Sequence, residues 1–182
     1  ILDFMMLWSD NLLADRLAGL AARAAGYSPN IKGIETIFRT LLAQFEIDDS
    51  KLVVADASGL SKKNKITAKL MGELLYKIRI DARYALLYES LPIGGVSGTL
   101  QSRFTTTAPS AVGLVRAKTG TLNGTATLAG YVQSTDREYV FVTLADDIAK
   151  GNAALNKARA AIDRVLGRIA APNIPAEISP AP

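Results

Sequence analysis

Apolar positions recur at helical spacing through the first half of the chain. Leu12, Leu13, Leu17 and Leu20, followed by an Ala-rich run to Ala25, line one face of a helix that ends at Gly26. Ser9, Asp10 or Asn11 is available as its N-cap. Ile34, Ile37, Phe38, Leu41, Leu42 and Phe45 form a second stripe. Residues 51–55 read as a short buried strand, and Asp56-Ala57-Ser58-Gly59-Leu60-Ser61 as a turn cluster. Thr67 is placed to cap a helix burying Leu70, Met71, Leu74, Leu75 and Ile78. The glycines and proline of Leu91-Pro92-Ile93-Gly94-Gly95 and Gly98-Thr99-Leu100 then mark irregular backbone.

From residue 113 the period changes from helical to two-residue. Strands are predicted over 113–119, 125–133 and 138–145, the last two joined as a hairpin by Ser134-Thr135-Asp136-Arg137. Residues 152–169 form a closing helix, with Leu155, Ala158, Ile162, Val165, Leu166 and Ile169 on the side expected to meet the sheet. Helices, then a meander, then a helix predict an α+β fold: an antiparallel sheet flanked by helices. Residues 172–182 hold four of the seven prolines and read as an extended tail.

Composition narrows the chemistry. A chain of 182 residues, 49% hydrophobic, has the length of one domain or most of one. The net charge of +4 comes without a basic run or interleaved aromatics, so a nucleic-acid partner is not expected. There is no Cys and no His. This removes thiol nucleophiles, disulfides, thiolate and imidazole metal ligands, and a Ser-His pair. A hydrolase built here would need Lys, Tyr or a carboxylate as its base. No apolar run approaches the ~18 residues of a membrane span. Residues 1–8 are apolar but lack the basic flank and cleavage site of a signal peptide. The chain opens without Met inside an apolar segment, and the expectation is that an N-terminal part is missing.

One stretch carries candidate chemistry. Residues 113–122 run as an apolar strand into Lys118-Thr119-Gly120-Thr121. The strand period puts Thr119 and Thr121 on one face, Gly120 leaves room for another backbone, and Lys118 adds a fixed positive charge. Together they would seat a carboxylate. The alternative is a strand end with a solvated Lys118 and a turn at Gly120.

Ser9-x-Asn11 followed by Lys118-Thr119-Gly120 resembles the penicillin-recognising serine acyl-transferases, for which Ser-Asp-Asn and Lys-Thr-Gly are signature motifs. Accessory segments match in order: residues 56–61 look like Asp-Gly-Ser-Gly-Leu-Ser with Ala57 for Gly, and Leu91-Pro92, Gly98-Thr99-Leu100 and Arg103 follow. That combination is similar to the D-Ala-D-Ala carboxypeptidase/endopeptidases of low-molecular-mass class C, the penicillin-binding protein 4 type (peptidase family S13). The resemblance implies a β-lactamase/transpeptidase-like fold, incomplete in this chain, with 1–171 as the C-terminal part of the penicillin-binding domain. It also implies a serine-type carboxypeptidase, with endopeptidase activity as a second option, acting through an acyl-enzyme outside the cytoplasm of a bacterium. Partners would be a peptidoglycan stem peptide ending in D-Ala-D-Ala, β-lactam antibiotics and the missing N-terminal part, with no metal or organic cofactor. A β-lactamase-like hydrolase or a non-catalytic peptidoglycan sensor is the rival reading.

The resemblance assigns roles residue by residue. Ser9 would relay a proton to the leaving nitrogen. Asn11 would hydrogen-bond the catalytic lysine and the substrate amide, with Asp10 as a cap. Lys118 would hold positive potential over the site. Thr119 and Thr121 would bind the terminal carboxylate, and the Thr121 N–H would be half of an oxyanion hole. The family's nucleophile lies in Ser-x-x-Lys, and no Ser here is followed three positions later by Lys. Ser61, beside Lys62 and Lys63, reads as an accessory turn with solvated lysines. The chain alone is therefore expected to be inactive.

Overall fold

A computed structural model describes residues 1–171; the predicted tail at 172–182 lies outside them. Helices α1 (Leu2–Trp8), α2 (Asn11–Ala24), α3 (Ile31–Gln44), α4 (Ala68–Ile80) and α5 (Ala85–Glu89) come first. Strands β1 (Val115–Leu122), β2 (Thr125–Gln133) and β3 (Glu138–Ala145) follow, and α6 (Asn152–Ala170) closes the fold. The helix starts have local causes. Asp10 accepts from the Leu13 N–H, Asn30 from Lys32 and Gly33, and Thr67 from Leu70, each filling donors that the first helical turn cannot satisfy itself. The Asn30 cap completes the helix predicted from the Ile34–Phe45 stripe.

The strands pair antiparallel in the order β1-β2-β3. Lys118 stands opposite Ala129 and Gly120 opposite Thr127. One sheet face carries Val115, Ala117, Leu128 and Val132 into the main core with Leu100, Phe104, Leu166 and Ala170. The other face packs on α4, where the Tyr131 phenol donates to the Leu75 carbonyl at 2.8 Å. Burial pushes that phenol up to about 12. A second small core joins Leu42, Ile47 and Leu70 under α3 and α4. Among the described residues no strand pairs with the outer edge of β3.

Three expectations need correction. Residues 51–55 are not a buried strand: Val53 makes a single bridge to Lys65 and is 48% exposed. The reason is Asn64, whose side-chain oxygen takes the Ala55 and Asp56 N–H groups that a neighbouring strand would otherwise bind. β1 begins later and runs further than predicted, because Gly113 sits in a left-handed turn (φ +79°) and the Lys-Thr-Gly-Thr run stays extended to Leu122. On α6, Val165 faces solvent, while Asp163 is buried and bonded to Arg103 and Thr107.

Candidate active site

Ser9-Asp10-Asn11 forms the corner between α1 and α2. Ser9 ends α1 in the left-handed region (φ 57°, ψ 50°), Asp10 caps α2, and Asn11 is its first residue. A serine with positive φ is held there at a cost that its surroundings must offset. Gly98 helps to supply that constraint. It has φ +54°, and a Cβ on it would lie 2.6 Å from the Leu7 carbonyl oxygen. Only a glycine lets the end of α1 come this close to the 98–100 turn. Further along, the Ser90 hydroxyl donates to Asp3 of α1. Asp15 of α2 accepts from the Ala57 N–H at 2.9 Å and so ties this helix to the 56–61 loop.

The corner points at β1. Lys118 Nζ donates to Ser9 Oγ at 2.7 Å and to the Thr119 carbonyl at 3.0 Å. Burial lowers its pKa, because removing water disfavours the ammonium. Lys118 is thus an enclosed, hydrogen-bonded cation and not a solvated strand end, and Gly120 lies within β1 and not in a turn.

Pairing decides which backbone groups are free at this place. Alternation along β1 turns the N–H and C=O of Arg116, Lys118 and Gly120 towards β2, and those of Val115, Ala117, Thr119 and Thr121 outwards. Residues 92–94 occupy the first part of that outer edge: Gly94 donates to the Val115 carbonyl and Ala117 to that of Pro92. Past Ala117 no described strand pairs with this edge, and the N–H of Thr119 and the N–H and C=O of Thr121 face the cleft, while the Thr119 carbonyl accepts from Lys118. Such an edge can bind an extended peptide as an added strand.

The side chains divide between the two sheet faces. Lys118 and Gly120 lie on the α4 face, with Ser9; Thr119 and Thr121 lie on the α6 face. Thr119 Oγ1 and Thr99 Oγ1 are 2.9 Å apart, and Thr121 Oγ1 accepts from Arg159 at 2.9 Å. A Cβ on Gly120 would collide with Thr127 Oγ1 on β2. A larger residue here requires that hydroxyl to turn away, a constraint from within the sheet that stands beside the room for a ligand backbone expected from the sequence.

The cleft around these groups has a volume of about 1380 Å³ and includes Ser9, Asn11, Lys118, Thr119, Gly120 and Thr121, every site residue expected from the sequence. Ser58 lies in its wall with a buried hydroxyl that has no hydrogen-bond partner among the described residues. Asp56 fixes that wall by accepting from Gly59, Ser61 and Asn64. Ser61 accepts from the Lys63 N–H, and Lys62 reaches the Asn123 carbonyl at 3.0 Å, so Lys62 is tied to the β1–β2 turn and not merely solvated. A smaller cavity of about 300 Å³ near Phe45, Ile47 and Tyr76 contains none of these groups.

The profile of the D-Ala-D-Ala carboxypeptidase 3 (S13) family matches residues 1–169. The chain belongs to this family. Among curated S13 relatives it is 39% identical over 145 residues to carboxypeptidase DacB of Mycolicibacterium smegmatis, covering 78% of this chain and 31% of that protein. It is 32% identical over 158 residues to the D-alanyl-D-alanine carboxypeptidase DacB of Haemophilus influenzae, covering 84% and 32%. The chain therefore spans about a third of the length of these relatives. Its fold superposes on crystalline penicillin binding protein 4 of H. influenzae, complexed with a β-lactam, with TM-score 0.80 at 29% identity, over 91% of this chain and 39% of that one. The α+β, transpeptidase-like fold class follows.

Four residues in or against this cleft have no task assigned by the motifs: Asp15, Ser58, Thr99 and Arg159. Thr99 lies inside the Gly-Thr-Leu segment, where its hydroxyl had no visible task. Ser58 likewise lies inside the matched 56–61 segment without an assigned task, and Asp15 and Arg159 carry no sequence signal beyond their types.

Proposed function

We propose that this chain supplies the proton-relay and carboxylate-binding half of a serine-type D-Ala-D-Ala carboxypeptidase. In this reading it forms the C-terminal part of the penicillin-binding domain, residues 1–171, followed by the tail at 172–182. The carrying observation is the hydrogen bond from Lys118 to Ser9 beside the open edge of β1.

The chemistry follows from that placement. A stem peptide lies along the open edge as an added strand, with its C-terminal carboxylate at Thr119 and Thr121. The nucleophilic serine, from a Ser-x-x-Lys segment outside this chain, attacks the carbonyl carbon of the penultimate D-Ala. The developing oxyanion is met by the outward N–H of Thr121 and by the nucleophile's own N–H. Ser9 passes a proton from the partner lysine to the departing D-Ala nitrogen, and Asn11 orients that lysine and the substrate amide. Lys118 keeps Ser9 as an acceptor on one side, so that its hydroxyl hydrogen points along the relay. Its charge also favours the deprotonated nucleophile. Water then hydrolyses the acyl-enzyme. β-Lactams enter the same route and stop at the acyl stage. Peptidoglycan as substrate places the protein outside the cytoplasm; no helix among the described residues is long and apolar enough to cross a membrane.

The test is D-Ala release by the complete protein from a peptide ending in D-Ala-D-Ala, with and without penicillin. Release that penicillin abolishes supports the reading. A complete protein that binds the peptide without releasing D-Ala would favour the sensor.

A further inference from the structure

We infer that Arg159 is a specificity-determining residue that makes the site select a free terminal carboxylate. The inference deepens the proposed function and rests on it.

Arg159 projects from α6 to Thr121, donating to its Oγ1 at 2.9 Å and to Asn156 Oδ1 at 3.2 Å. Among the described residues it has no carboxylate partner, so its charge is not neutralised locally. Its turn of helix is braced, because the Arg159 carbonyl accepts from Arg103, whose guanidinium is fixed on buried Asp163. The contact has a directional consequence. A hydroxyl has one hydrogen and two lone pairs; with the guanidinium on one lone pair, the Thr121 hydrogen turns away from Arg159 and is polarised. Thr121 then acts as a donor and its open-edge position gives it an anion to receive. Lys118 approaches the edge of β1 from the α4 face and Arg159 from the α6 face, so a carboxylate there is bracketed by two cations.

Arg159 acts through Thr121 and is a positioning residue, so its test needs a readout that folding alone does not move. The complete protein is compared with Arg159→Gln and Arg159→Lys on two peptides, one ending in D-Ala-D-Ala as the free acid and one as the carboxamide. Arg159→Gln should lower kcat/KM for the acid about tenfold, mainly through KM, and change the amide little, so the acid/amide ratio collapses. Arg159→Lys should recover part of the ratio at low salt and lose it at high salt. Thermal melting of each variant separates misfolding from loss of selectivity. An active parent whose acid/amide ratio survives Arg159→Gln overturns this inference alone. A parent that neither releases D-Ala nor reacts with penicillin overturns the carboxypeptidase reading and this inference together.

Discussion

The Lys118 ammonium donates to the Ser9 hydroxyl across 2.7 Å, although 109 residues separate the two in sequence. Ser9 is fixed by the α1–α2 corner and Lys118 by β1, so two independently built elements meet at one hydrogen bond. Their effects should be strongly coupled. In the complete protein, Lys118→Ala is expected to slow penicillin acylation about a hundredfold, as for loss of one preorganised electrostatic group. Ser9→Ala should cost a comparable factor, and the double variant little more than either single one. Stopped-flow acylation kinetics check this. Losses that multiply would mean that the two residues act separately.

The buried lysine predicts a pH dependence. Burial lowers the Lys118 pKa from the ordinary value of 10.5. The folded protein thus releases this proton at lower pH than the unfolded chain does. Stability contributed at this position rises between the folded value and 10.5, while the charge needed at the site is lost over the same interval. Acylation should therefore fall on the alkaline side with a midpoint below 10.5, well short of the Tyr131 phenol at about 12. Lys118→Arg should move that limb upwards, since guanidinium stays charged. A limb unmoved by Lys118→Arg would assign it elsewhere.

Gly98 couples the loop to the site. A methyl group there meets the Leu7 carbonyl at a backbone angle that L residues rarely adopt, so α1 must retreat and take Ser9 with it. Gly98→Ala is expected to cost about 1–3 kcal/mol and to slow acylation as well. Melting temperature and acylation rate are measured on the same sample. A destabilised variant with unchanged acylation would show that Ser9 does not depend on this approach.

Asp163 should dominate the stability of the α6 interface. Its side chain is 3% exposed and its Arg103 partner 14% exposed, so removing the carboxylate leaves a buried guanidinium without its counter-charge. Asp163→Ala is expected to lose about 3–5 kcal/mol in urea unfolding. Replacing both residues by apolar ones of similar volume should recover much of that loss, and failure to recover it would point to packing and not to the stranded charge.

Sequence pattern was most informative where burial and periodicity coincide. β2 carries the buried apolar positions, β3 alternates apolar residues that are only partly buried, and the predicted ends of both agree with the structure. β1 was shortened because Lys118-Thr119-Gly120-Thr121 is polar: the two-residue period continues, but hydrophobicity no longer marks it. Residues 51–55 carry the apolar composition of a strand, and what prevents pairing is an amide at Asn64, nine residues beyond Ala55. The Ser9, Asn11 and Lys118 motifs were legible because their spacing is characteristic. The left-handed turn at Ser9 was not, since serine has no preference for it and the constraint comes from packing near Gly98. Arg159 was invisible for a simpler reason. Nothing distinguishes one arginine on a helix from another until the sheet beneath it is known.

The central claim is that this chain holds the relay and carboxylate seat of a site whose nucleophile lies elsewhere, and intact-mass spectrometry after penicillin treatment tests it most directly. Without a Ser-x-x-Lys pair, Ser9 has Lys118 as a donor but no base to remove its proton, and an unactivated hydroxyl is a weak nucleophile. The chain of 182 residues alone should show no penicilloyl adduct, and the complete protein should show one, mapped by peptide digestion to the serine of a Ser-x-x-Lys segment outside this chain. A stoichiometric adduct on Ser9 or Ser61 of the isolated chain would contradict the account.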